Sequence, residues 1–147
     1  MRPRQSIPTE WLIIAGEADT AGIEAGRRLP RGTGILLLQP LANRDLRKFR
    51  RRGLTVMTEA RGIAARVHDA RELRRALSAR TPLILLSPIY PTRSHPERKP
   101  LPSMRAATLA RLGGRRLFAL GGMDARRFAR VKRLGFQGWA GISAFRT

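Results

Sequence analysis

Leu83-Ile84-Leu85-Leu86 is an unbroken apolar run of strand length, and no other feature narrows the folds open to this chain as far. A strand with one wet face alternates apolar and polar residues, because successive side chains point to opposite sides. Four apolar residues in succession need both faces covered, which a parallel sheet lined by helices provides. The run extends over 83–87, and short apolar segments recur at 11–15, 35–38, 55–58, 65–67, 117–120 and 138–142.

Between these segments the period changes from two to that of a helix. Asn43 is placed to cap a helix that buries Leu46 and Phe49 and exposes Arg47, Lys48, Arg50 and Arg51. Asp69 is placed to cap one that buries Leu73, Ala76 and Leu77 and exposes Arg71, Arg74 and Arg75. Asp124 precedes a third, burying Phe128, Val131 and Leu134, and Gly135 stands where a C-terminal cap belongs. A strand–helix alternation with buried strands means an α/β fold, either a barrel or an open doubly wound sheet.

One connection is anomalous. Six residues separate 55–58 from 65–67, whereas a parallel crossover needs about a dozen. Either the two segments form a hairpin, or one is not a strand, or a unit is missing between them.

The 147 residues suffice for one domain, read as an extension over 1–10 and a single domain over 11–147. There is no cysteine, which removes disulfides, thiolate metal sites and a cysteine nucleophile together. The only early apolar run, 11–15, is too short for a secretory segment or a membrane span, so the expectation is a cytoplasmic protein. The formal net charge is +20, carried by 30 basic residues of which only Lys48, Lys99 and Lys132 are lysine. Such charge attracts phosphorylated ligands and nucleic acid. Most of it falls on outward helical faces, so a solvated surface is the simpler account.

Chemistry concentrates in the C-terminal half. Ser87-Pro88-Ile89-Tyr90-Pro91-Thr92-Arg93-Ser94-His95 follows the apolar run, and its hydroxyls, arginine and histidine suit an anion held by charge-assisted hydrogen bonds. A rigid loop with no ligand is the alternative. Gly121-Gly122 ends the next strand segment ahead of a helix, where backbone amides can seat a phosphate. The last strand segment ends in Gly141-Ile142-Ser143, offering a further small turn and a hydroxyl.

These segments resemble the thiamine phosphate synthase/TenI family. Ser87 to His95 is similar to its G-P-x-F-p-T-x-T-K motif, Ala119-Leu120-Gly121-Gly122-Met123 to its A-I-G-G-I, and Gly135 through Phe145 to its closing G-a-x-G-v-A-v-v-S-a-i. The resemblance implies a (βα)8 barrel, here reduced or incomplete, TIM-like, with six or seven strands. It implies that Thr92, Ser94, His95, Gly121, Gly122 and Ser143 bind the phosphate of a phosphorylated small molecule of the thiazole phosphate type. Gln39 is what remains of a Q-L-R-x-K run and is a substrate-binding candidate. Arg66-Val67-His68 resembles the S-V-H segment whose histidine transfers a proton in TenI-type tautomerases, which makes His68 the catalytic candidate. The alternative is a structural His68 held by Asp69 or a carbonyl at a helix start.

Three functions follow as expectations. TenI-like tautomerase chemistry on, or binding of, a phosphorylated thiazole comes first. Full synthase chemistry, condensing a pyrimidine pyrophosphate with thiazole phosphate, would need Mg²⁺, for which Glu59 is the nearest carboxylate. The third is a barrel without catalysis that binds nucleic acid through its arginines. An open barrel exposes a strand edge, so a homodimer is a further expectation.

Overall fold

The computed structural model describes residues 7–93 and 95–146. Seven parallel strands form a nearly closed barrel: β1 (Glu10–Ile14), β2 (Gly34–Leu37), β3 (Thr55–Thr58), β4 (Ala64–Val67), β5 (Leu83–Leu86), β6 (Leu117–Ala119) and β7 (Gly138–Gly141). Their spatial order is β3-β2-β1-β7-β6-β5-β4, so pairing of the first strand with the last closes one side. The helices α1 (Thr20–Arg27), α2 (Asn43–Arg51), α3 (Ala70–Ser78), α4 (Ser103–Gly113) and α5 (Ala125–Val131) cover the outside. No helix among the described residues is long and apolar enough to cross a membrane.

The strands take the segments expected of them, with ends displaced by a residue at most. Asp69 and Asp124 cap α3 and α5 as expected, accepting from the amides of Glu72 and Arg127 at 2.8 and 2.7 Å. Gly135 takes the left-handed conformation, with φ +115°, after the turn that ends α5. Asn43 is a correction. It is the first helical residue of α2, and Ala42 occupies the cap without a side-chain bond. Pro40 and Leu41 lead into Ala42 in extended backbone (φ −59°, ψ 140°), which moves the helix boundary one residue upstream of the side chain that looked like a cap.

The short connection between β3 and β4 is resolved by the third alternative. Both segments are strands, each parallel to its other neighbour, and they do not pair with each other. Each is an edge, and the barrel has a seam between them. Ala60 bridges Ala64, so β4 begins near the level at which β3 ends. A chain crossing an unpaired seam with that stagger needs no helical crossover. Glu59 and Arg66 span the gap as a two-bonded ion pair, at 2.6 and 3.1 Å.

Two apolar layers explain the unbroken runs. Outward residues such as Leu12, Leu37 and Leu86 pack under the helices, while Trp11, Ile13, Leu36, Leu83, Leu85, Phe118 and Ala140 fill the lumen. Trp11 floors the barrel edge-on to Phe118, with ring centroids 6.5 Å apart, and its indole N–H is satisfied by the Pro8 carbonyl at 2.7 Å. Gly34 makes room for it: a Cβ there would lie 2.4 Å from the indole.

Asp19 joins the two ends of the fold. Its carboxylate accepts from the Ala15 and Gly22 amides and from Arg146 at 2.7 Å. Burial opposes its ionisation, but the two amides and the guanidinium outweigh it and hold the carboxyl below its ordinary value.

Candidate functional site

Side-chain parity decides what reaches the open end of the lumen. On β4 the inward residues are Ala64 and Arg66, and His68 follows with the same period. On the other strands the same count brings Ile13, Leu38, Glu59, Ser87, Leu120, Gly122 and Ile142 to the C-terminal rim. These seven, with Arg66 and His68, line one cavity of about 780 Å³. The loop after β5 adds Pro91, Thr92, Arg93, His95 and Arg98, the turn after β6 adds Gly121, Asp124 and Arg127, and the last turn adds Ser143. In β/α barrels ligands are held at this end, because the loops there are free to vary over a rigid floor.

Of the residues singled out from the sequence, His68, Thr92, His95, Gly121, Gly122, Ser143 and Glu59 share this cavity. Ser94 lies outside the described residues. Gln39 follows β2 at the same end but is exposed, packs over Gly16, and is not part of the lining.

One end of the cavity rests on close contact between two loops. Ile89 and Tyr90 donate their amides to the Leu120 and Gly121 carbonyls at 3.0 and 3.1 Å. Gly121 and Gly122 have φ of +103° and +60°, and a Cβ on Gly122 would meet the Pro91 carbonyl oxygen at 2.4 Å. Only glycine allows this approach. Arg127 donates to the Gly122 carbonyl at 2.6 Å and lies over the Tyr90 ring, 4.9 Å from its centroid, which places a fixed positive charge at this end.

The opposite end is built on His68. Its Nδ1 is 3.2 Å from the Glu72 carboxylate, four residues on along α3, and its Nε2 meets the Arg98 guanidinium. An arginine can only donate, so Nε2 accepts and Nδ1 carries the proton toward Glu72. Asp69, the partner considered from sequence, is engaged instead on the Glu72 amide.

Arg66, Arg98, Asp124 and Arg127 were not singled out from the sequence as site residues. The first was legible, since it stands two residues before His68 on one strand. Arg98 lies on a loop and Arg127 on a helix, where no short-range pattern signals a shared cavity.

The magnesium expected of synthase chemistry does not fit these residues. Both Glu59 oxygens are taken by Arg66, and among the described residues no three His, Cys, Asp or Glu side chains gather as a metal site. A guanidinium occupies the position where a cation would be needed.

The comparisons agree with the architecture. The family model described as thiamine monophosphate synthase matches residues 47–145, about two thirds of the chain. Among solved structures, thiamine phosphate pyrophosphorylase from Bacteroides thetaiotaomicron superposes with a TM-score of 0.59 at 15% identity, over 93% of this chain and 83% of that one. A cube-shaped, highly porous protein cage designed by fusing symmetric oligomeric domains gives 0.52 at 14% identity, over 95% of this chain and 64% of that one. At such identities the likeness is one of fold. No curated protein sequence is matched. The family match runs from within α2 through Phe145 and takes in every segment that builds the rim after β3, so this chain belongs to the thiamine phosphate synthase/TenI family.

Proposed function

We propose that this protein binds a phosphorylated thiazole in the cavity at the C-terminal ends of its strands and isomerises it by proton transfer through His68. The observation that carries the reading is the convergence of His68, Thr92, Gly121, Gly122 and Ser143 on one 780 Å³ cavity. The phosphate lies against the Gly121-Gly122 turn and Ser143, with the Arg127 charge beside it. The ring rests on Ile13, Leu38, Leu120 and Ile142, which line the cavity between the two ends.

His68 is suited to proton transfer by its tautomer. With Nδ1–H on Glu72, Nε2 is a base. The ligand's second anionic group draws Arg98 away and clears Nε2. That nitrogen takes a proton from one ring carbon and returns it to another as the ring double bonds shift, so the product is an isomer. Glu72 stabilises the transient imidazolium and fixes the ring's orientation. General acid–base catalysis of this kind is worth roughly 10²–10⁴-fold.

Calorimetric titration with thiazole phosphate carboxylate, followed by turnover in deuterated water, tests the reading. Wild type should bind and incorporate solvent deuterium, His68→Asn should bind within a few fold without turnover, and Glu72→Gln should lower kcat more than it changes KM. Absence of binding by wild type, or equal turnover by His68→Ala, would remove the mechanism.

A further inference from the structure

On the far side of β4 from the cavity lies an open groove of about 870 Å³, bounded by the turn after Ala60, the outer side of β4 and one face of α3. It lies at the seam, where β4 is an edge with no further strand beside it. Its walls carry Arg61, Arg71, Arg74 and Arg75, all exposed and none in an ion pair among the described residues. Residues 71, 74 and 75 are at helical spacing of three and four, so their charges stand together on one face and repel in the absence of an anion.

The acidic residues of this region do not neutralise the groove. From 43 to 80 the chain has twelve basic and four acidic residues. Asp45 is buried beside Arg27, Glu59 holds Arg66, Asp69 caps α3, and Glu72 serves His68. Each carboxylate has a partner of its own, and Glu72 is the one of them that also lines the groove. On the other side of the seam α2 packs on β3 and exposes Arg47, Lys48, Arg50 and Arg51.

We infer that this groove binds the phosphate backbone of a nucleic acid. Four separate cations along one groove, more than one small anion needs, match the repeated charge of such a polymer. Exposed guanidiniums make bidentate contacts with phosphate without deep burial. No aromatic side chain lines the groove, so there is no stacking platform, and recognition is of the backbone and not of base sequence. Arg66 lines both the groove and the cavity, and Glu72 at the groove serves His68, but Arg61, Arg71, Arg74 and Arg75 line the groove alone.

Fluorescence anisotropy with a labelled 20-base-pair DNA duplex, its RNA counterpart and vesicles containing phosphatidylserine tests this. Across a salt series, wild type should bind both duplexes with a steep decline as salt rises. The triple variant Arg71→Gln/Arg74→Gln/Arg75→Gln should lower the log–log salt slope by about 3 and weaken binding at least ~tenfold. The single variant Arg61→Gln, in the exposed turn, should lower the slope by about 1. A matched control, Arg115→Gln/Arg126→Gln/Arg130→Gln, removes the same charge outside the groove, before β6 and on α5, and should change the slope by less than 1. Thiazole phosphate carboxylate titration of the α3 variant reports separately on the cavity and should match wild type. Equal losses in the two triple variants, no binding of either duplex at low salt, or binding of vesicles in place of duplexes would each overturn the inference.

Discussion

Replacing Gly122 by alanine probes how rigidly the two loops at the paired glycines are held. Two costs arise. A left-handed backbone costs an L-residue about 1–2 kcal/mol, and Gly122 has φ +60°. The new Cβ would also lie 2.4 Å from the Pro91 carbonyl oxygen, which must retreat to at least 3.0 Å. That oxygen belongs to a loop tied to the Leu120 and Gly121 carbonyls, so its movement strains hydrogen-bonded backbone. Overpacking of this kind costs about 1–3 kcal/mol. The sum, about 2–5 kcal/mol, is a large part of the roughly 5–15 kcal/mol that holds a domain folded. Gly32→Ala supplies the reference, because Gly32 also has positive φ, +92°, yet a Cβ there meets nothing within 4 Å. Urea unfolding of both variants should show Gly122→Ala the less stable by about 1–3 kcal/mol. Calorimetry with thiazole phosphate carboxylate should show weakened binding in Gly122→Ala alone. Equal destabilisation of the two variants would refute the idea that the Pro91 loop is pinned against this turn.

Trp11→Ala removes the floor of the lumen and should cost about 3–5 kcal/mol in urea unfolding, because the indole is fully buried and the strands around it cannot collapse into the space. The Asp19 carboxyl is held below its ordinary value, so its contribution is present above the unfolded value of about 3.9 and is lost as pH falls through the lower folded value. Asp19→Asn should therefore be less stable than wild type at pH 7 by about 1–3 kcal/mol, with the two unfolding curves converging as pH falls through the lowered folded value. Glu59→Gln should cost less than about 1 kcal/mol of global stability, since the pair is partly exposed. It should nevertheless raise amide hydrogen exchange in β3 and β4, the two strands whose outer edges lack a partner, above that of β1.

Much of the barrel was legible along the chain. Apolar runs such as Leu83 to Leu86 report burial on both faces through composition alone, and each strand of the sheet begins within a residue of the segment read for it. Asp69 and Asp124 signal helix starts because a cap is a contact across three residues. The helices α1 and α4 were not singled out. The first carries small residues and the second a weak stripe, so neither shows a strong amphipathic period. Asn43 misled because a capping residue beside a helix start does not reveal which backbone turns first.

What sequence determined was therefore the part of the protein governed by contacts a few residues apart: strands, most helix starts, and the small-residue turns at Gly121-Gly122 and Ser143. Tertiary structure alone decided that β1 pairs with β7, that the shortened connection becomes an open seam, and that Arg66 takes Glu59 across it. It also decided that Arg98, thirty residues away in the chain, meets His68, and that Arg127 reaches over the Gly121-Gly122 turn. Such contacts depend on where a whole sheet curves and closes. Closure is a property of all seven strands together, and no local pattern of residues carries it.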